Sequence, residues 1–401
     1  MNRSFDTAFV AFLLVVPFAS AAEPFELKDG DRVVLLGNTL IEREQRYGYW
    51  ELALTARYPD RNITFRNLGW SGDTVWGEAR AGFGTQADGF KHLKEHVLAE
   101  KPTVLIIGYG GNEAFDGPAG LPKFEKGLND LLDALAPTKA RVVLLSPTPH
   151  EKLEPPMPDP TEQNKNLALC QELIRATAKK RGYVFVDLFE MMSRPLGRWT
   201  ENGVHLTSRG YWQFTEHMET DLFLDFTVGW NITVTEDGKV SSEGGVKVDQ
   251  VGARSRRFRV LPATLKCPDP IYQEPGKELV LRAIDNTLTV EGLPSGRYTL
   301  HIDGKPRVTA TAKQWSTGFV RIDRVTNDQA EQLRQAIVEK NRLYFHRWRP
   351  QNETYLFGFR KHEQGQNAVE IPKFDPLIAA KEAEIAKLRV PVPHVYELKP
   401  E

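Results

Sequence analysis

Cysteine is scarce. The 401-residue chain has two, Cys170 and Cys267, far apart and in stretches of different character, which excludes a disulfide scaffold but not one bridge between the two stretches. Charge of either sign is not in excess. With 52 Lys+Arg against 53 Asp+Glu the formal net charge is −1, which gives no electrostatic case for nucleic acid or an acidic membrane surface as a partner. Long apolar runs are missing after the N-terminus. The one exception, Ala8 to Phe18 in "MNRSFDTAFVAFLLVVPFASAAEPF", follows an arginine and precedes Ala19-Ser20-Ala21, the small-residue pattern that signal peptidase accepts. It is too short to span a bilayer comfortably. Residues 1–22 are therefore expected to be a signal peptide, and the mature protein to be exported, periplasmic or extracellular, with no integral membrane segment. Internal repeats and low-complexity tracts are absent from the sequence as well. What is present, 41% hydrophobic and 26% charged residues, is an ordinary globular composition long enough for two or three domains.

From residue 25 to 225 short apolar runs alternate with amphipathic stretches, the pattern of an α/β domain around a parallel sheet. The spacing predicts strands over 32–36, 63–67, 103–109, 141–146 and 184–187, and helices over 124–135 and 162–180. The second helix carries Leu167, Cys170, Leu173 and Ile174 on one side and closes on Lys179-Lys180-Arg181-Gly182, a basic last turn followed by glycine. Beyond residue 226 the period changes to two. "WNITVTEDGKV", "RRFRVLPATL", "ELVLRAI" and "TLTVEGLPSGRYTLHIDGKPRVTATA" predict an antiparallel β domain over 227–325, with a hairpin closed by Asp303-Gly304. Residues 326–401 read as a helix and loop extension, with helices near 327–344 and 376–388 around an aromatic and arginine-rich stretch.

Four short motifs follow one another, each at the C-terminal end of a predicted strand or in the loop after it, where open α/β sheets build their sites. They are Gly37-Asn38-Thr39-Leu40, Asn67-Leu68-Gly69-Trp70-Ser71-Gly72-Asp73-Thr74, Gly108-Tyr109-Gly110-Gly111-Asn112-Glu113 and Asn202-Gly203-Val204-His205-Leu206. In order and spacing they resemble the SGNH, or GDSL-type, hydrolases, a family of esterases, lipases and acetylesterases on a flavodoxin-like three-layer sheet. The resemblance covers roughly the first half of the mature chain. It implies that Thr39 stands where the family has its serine nucleophile, that Gly72 and Asn112 supply the oxyanion hole, and that His205 is the general base. Glu113 occupies a position where aspartate is common, and Asn202 stands where the family usually has the aspartate that orients the histidine. The expected function is an exported ester hydrolase acting on a small-molecule or carbohydrate ester, with no cofactor and no metal. The oligomeric state is not legible.

The chemistry needs these residue types. A hydroxyl is a poor nucleophile until an imidazole takes its proton, and the tetrahedral oxyanion then requires preorganised donors. Two departures from the family pattern bear on this. Threonine keeps the hydroxyl but its methyl group stiffens χ1. Asparagine can accept from the imidazole Nδ1–H but brings no charge, so Glu201 and Asp187 are candidates to provide it. The alternative to catalysis is an impaired SGNH scaffold that binds a glycan or a protein. Read singly, Thr39 is also a good helix N-cap, Gly72 a turn residue, Asn112 a helix cap and His205 a surface histidine before the helix start Thr207-Ser208. Ser71 is a second hydroxyl candidate. His92 and His96 predict an exposed helix face rather than a metal site, because His-Glu-x-x-His is not formed. Tyr47, Tyr49, Trp50, Trp70, Trp76 and Trp199 cluster near the motifs and read either as packing or as surfaces for stacking on sugars. The stretch "FHRWRPQNETYLFGFRKHEQG" reads as an extension docked on the first domain or as a wall of the site.

Overall fold

In the computed structural model, the described residues are 25–193, 197–223, 229–250, 256–268, 270, 286–318, 320, 322, 328–363, 365 and 367–401. The expected signal peptide and the "ELVLRAI" strand lie outside them. Five apolar runs form a wholly parallel sheet: β1 (Arg32–Gly37), β2 (Thr64–Asn67), β3 (Val104–Gly108), β4 (Arg141–Leu145) and β5 (Val184–Val186). Its order is β2-β1-β3-β4-β5, the flavodoxin-like winding, as the resemblance implies. The observed ends differ from the predicted ones by a residue or two, within the usual play of strand boundaries.

Burial on both faces explains the near-continuous hydrophobicity of these strands. In β1, Val33 and Leu35 face one layer and Val34 and Leu36 the other. The first layer holds α1 (Thr39–Glu44), α2 (Tyr49–Arg57) and, from the chain's next half, α7 (Ser208–Phe223), with Trp50, Tyr211 and Phe214 buried between them. The second holds α3 (Gln86–Ala99), α4 (Gly117–Leu135) and α5 (Thr161–Arg181), with Leu93, Leu131 and Ile174 in its core; the short α6 (Leu188–Met192) follows β5. Each fully buried side chain of this size contributes about 1.5–3 kcal/mol relative to exposure.

The second half of the chain is built mainly from antiparallel pairs. A three-stranded sheet contains β6 (Asn231–Val234), β7 (Val240–Glu243) and β10 (Thr287–Val290). A five-stranded sheet contains β8 (Val246–Gln250), β9 (Arg257–Pro262), β11 (Arg297–Ile302) and β12 (Lys305–Thr311), followed by α8 (Ala312–Ser316). The Asp303-Gly304 hairpin is present with both residues at positive φ, 50° and 79°, and Tyr298, Leu300 and Ile302 point into one core. Two features depart from the expectation. β6 and β10 run parallel. The C-terminal extension, expected as helix and loop, comprises α9 (Asp328–Trp348), α10 (Glu353–Leu356) and α11 (Phe374–Leu388) but ends in a strand, β13 (His394–Pro400). β13 fills the gap between β11 and β9, where Tyr396 and Leu398 alternate inward.

Ahead of that strand, α9 lies against α2 and the edge strand β2. Leu333 and Ile337 pack with Leu52 of α2, and the fully buried Lys340 Nζ donates to both Glu51 oxygens, at 2.7 and 2.8 Å, and to the Phe65 carbonyl of the edge strand β2. The extension is therefore docked on the first domain, not free of it. No helix among the described residues is long and apolar enough to cross a membrane.

Candidate active site

The loops leaving β1, β2 and β3 meet at the C-terminal edge of the sheet. Asn38 leaves β1 in extended conformation and its Oδ1 accepts from Leu40 N–H at 3.1 Å, so the helix cap is Asn38 and Thr39 is the first residue of α1. Sequence reasoning offered Thr39 as the cap. Released from capping, its Oγ1 accepts a hydrogen bond from the Gly72 N–H at 3.3 Å. The Thr39 N–H, first in the helix, has no partner within it.

Two glycines let the second loop reach this point. A Cβ on Gly69 would lie 2.2 Å from the backbone N of Glu42, so only glycine lets that loop lie against α1. Gly72 sits at φ +79°, which an L side chain enters at a cost of about 1–2 kcal/mol. The turn that carries it is closed by Asp73 N–H on the Trp70 carbonyl at 3.0 Å, and the Trp70 N–H donates to the Gly37 carbonyl at 2.9 Å. Asn112 Nδ2 donates to the Asp73 carbonyl at 2.7 Å, tying the third loop to the second and leaving its other amide hydrogen for a ligand.

Buried charge fixes this assembly from below, a feature sequence reasoning missed. Asp73 and Arg80, with both side chains fully buried, pair at 2.7 Å; Tyr109 OH donates to the same carboxylate at 3.0 Å, and Arg80 donates to the Leu68 carbonyl at 2.8 Å. Glu113 accepts from Val75 N–H and Gly110 N–H, both at 2.8 Å, and so clamps the second and third loops together. Burial raises its pKa to about 7, against the pull of those two hydrogen bonds. No local pattern signals the Asp73–Arg80–Tyr109 group, since its members come from three elements.

His205 lies on a hairpin closed by Glu201 N–H to the His205 carbonyl at 2.8 Å and Thr207 N–H to the Trp199 carbonyl at 2.9 Å. Glu151, from the loop after β4, supports it by accepting from Trp199 and Thr200. The hairpin meets α1 through Glu201, which pairs with Arg43 at 3.0 Å and accepts from Tyr47 OH at 3.3 Å. Burial, then the Arg43 charge, hold the imidazole below the usual histidine pKa, with Glu201 opposing. No hydrogen bond joins the ring to Thr39.

Asn202 behaves differently from the expectation. Its Oδ1 accepts two backbone N–H groups, Val204 at 3.2 Å and His205 at 2.9 Å, so the amide nitrogen is the atom that faces His205 Nδ1, at 3.4 Å. The sequence suggested that the asparagine accepts from Nδ1–H; here the oxygen is committed to the turn. An amide N–H aimed at Nδ1 favours the tautomer with its proton on Nε2, the wrong one for a general base. Asp187 does not supply the missing charge, because its carboxylate accepts from Gln171 and Arg175 and caps α6 through Glu190 N–H.

The remaining candidates resolve into packing. His96 is not on an exposed face: its ring lies 5.3 Å from Trp348 and 6.5 Å from Trp70, and burial pushes its pKa down to about 4. Tyr49, Trp50 and Trp199 are buried, Tyr47 stacks on Tyr211, and Trp76 lies beneath Lys123. Ser71 is exposed, with its N–H on Glu42. The open aromatic ring beside the donor loops is Phe115, 67% exposed, three residues beyond Asn112 and 6.1 Å from the His150 ring. Cys170 and Cys267 are free thiols, and no group of three or more metal-ligating residues occurs among the described residues.

Residues 34–213 match the model of the GDSL-like lipase/acylhydrolase family. The chain carries a GDSL-like hydrolase domain. This bears out the resemblance read from the four motifs and the parallel-sheet fold that it implied. A gut microbial diltiazem-metabolizing enzyme aligns over 95% of this chain and 100% of its own, with a TM-score of 0.71 and 16% sequence identity. At that identity the likeness is one of fold, and it extends past the GDSL-like domain into the β sheets and C-terminal helices. A catalytic mutant of an acetylxylan esterase from Geobacillus stearothermophilus is 18% identical, over 49% of this chain and 95% of its own, with a TM-score of 0.40. No curated protein matches.

Proposed function

We propose that the GDSL-like domain hydrolyses esters of small acyl groups by transfer through Thr39. Thr39 Oγ1 attacks the carbonyl carbon and its proton passes to His205 Nε2, from the less favoured tautomer that carries its own proton on Nδ1. The oxyanion is held by the N–H groups of Gly72 and Thr39 and by the free amide hydrogen of Asn112. Collapse expels the alcohol, which takes the proton back from His205, and water repeats the sequence to release the acid. The observation that carries this reading is the Gly72 N–H on Thr39 Oγ1 at 3.3 Å, which sets an oxyanion donor against the nucleophile itself. The signal-like N-terminus supports export, and the exposed Phe115 supports an alcohol with a flat face, such as a sugar.

A second reading is favoured by the Asn202 amide: an impaired scaffold retained for binding a glycan or a protein. Purified protein with p-nitrophenyl acetate and acetylated sugars separates the two. The hydrolase reading expects Thr39→Ala to lose at least about 10³-fold in turnover, and a fluorophosphonate label to map to Thr39. Equal hydrolysis by wild type and Thr39→Ala contradicts it.

A further inference from the structure

The oxyanion turn is held at every residue around Gly72, and one of the holds comes from outside the GDSL-like domain. Asp73 is fixed by the buried Arg80, and Trp70 N–H by the Gly37 carbonyl. Ser71 N–H donates to Glu42 Oε2 at 2.6 Å. That same oxygen also accepts from Arg349 Nη1 at 2.7 Å, across 307 residues of sequence. The Arg349 guanidinium lies 3.6 Å from the centroid of the Trp70 ring, and Trp348, its neighbour at the end of α9, meets Trp70 edge-on at 5.8 Å. One arginine thus grips the turn twice, through the ring of its first residue and through the carboxylate that binds the amide of its second. The next amide in the chain is the Gly72 N–H on Thr39.

We infer that Arg349 is a positioning residue for the oxyanion hole, and that the C-terminal extension completes a site whose reacting groups all lie in the GDSL-like domain. The chemistry of the contact is specific to arginine. A planar guanidinium stacks on an indole while donating in its plane to a carboxylate, which an ammonium group cannot reproduce. Without it, Glu42 keeps a buried charge with the Ser71 N–H as its remaining partner at this end, and Trp70 loses the cation on its face. The turn then samples positions in which the Gly72 N–H no longer meets the oxyanion. Misplacement of a catalytic group by about 1 Å costs up to about 10²-fold in rate.

This rests on the hydrolase reading above for its kinetic part, and the test has a second part that does not. Arg349→Ala, Arg349→Lys and Glu42→Gln are compared with wild type in the full chain. Turnover of p-nitrophenyl acetate is expected to fall about 10- to 100-fold in Arg349→Ala with KM nearly unchanged, and to recover partly in Arg349→Lys or on adding guanidinium ion. In parallel, amide hydrogen exchange of the 70–73 turn is expected to accelerate in Arg349→Ala while that of β1 and β3 stays as in wild type. Wild-type kcat together with wild-type exchange in the turn overturns the inference while leaving the hydrolase reading intact. An inactive wild type overturns the hydrolase reading, and the exchange comparison then decides the coupling by itself. Faster exchange throughout the sheet assigns Arg349 a general structural role and also overturns it.

Discussion

On one side of the site, Gly72 and Asn112 hang from loops locked by buried charge; on the other, His205 rides an exposed hairpin whose supporting amide faces it with the wrong atom. The first side resembles a preorganised donor array, with Asp73–Arg80, Glu113 and the Glu42–Arg349 pair each fixing one stretch of backbone. The second depends on Arg43–Glu201 and on Glu151 beneath the hairpin. The contrast teaches that the proposed oxyanion donors and the proposed base are held by separate networks. Donor geometry is determined by packing, which couples it to the stability of the domain. The base is set by a three-residue turn that a single atom exchange, oxygen for nitrogen, alters.

The comparison is broken most severely by attacking the buried charge. Arg80→Met leaves Asp73 as a buried carboxylate without its cation and is expected to cost about 3–5 kcal/mol of unfolding free energy, measured by urea denaturation. Asn112→Ala removes one donor and unties the Asp73 carbonyl; steady-state kinetics should show turnover lower by about 10²–10³-fold. Glu113 provides a pH signature. Its folded pKa of about 7 lies above the ordinary carboxylate value, so its contribution is greatest in acid and is lost as pH rises from about 4.5 through 7. Thermal melts should show stability declining across that window, by up to about 3 kcal/mol, with a smaller decline in Glu113→Gln. The smallest effect belongs to the histidine side. Glu201→Gln removes a half-exposed pair with Arg43 worth about 0.2–1 kcal/mol. Because Glu201 opposes the downward shift of His205, the midpoint of the kcat/KM profile should move further down in pH in that variant.

The fold was legible because the parallel strands are buried on both faces and α4 and α5 on one, and both conditions write short-range periodicities; α2, buried from Tyr49 to Ala56, writes none. Three of the motif loops were legible for the same reason, since each follows a strand whose end is marked, whereas the Asn202–Leu206 motif lies beyond α6, which follows β5. What escaped the sequence depends on partners distant along the chain. No local pattern marks the buried Lys340–Glu51 pair, His96 reads as an exposed helix residue until Trp348 arrives from α9, and β13 as part of a tail until β9 and β11 leave a gap for it. The Asn202 orientation escaped for another reason. Both faces of an amide are available in principle, and the choice is made by two backbone N–H groups presented in a turn that places Gly203 at φ +89°.

The proposed site pairs a preorganised donor array with a base held in the wrong tautomer, and Asn202→Asp tests that claim most directly. A carboxylate keeps one oxygen for the Val204 and His205 N–H groups and offers the other to Nδ1–H, restoring both the tautomer and the charge. The kcat/KM for p-nitrophenyl acetate is then predicted to rise by at least about 10²-fold, given that the reverse change in a serine-protease triad costs about 10⁴-fold. An unchanged or lower value in a folded Asn202→Asp protein would contradict the account.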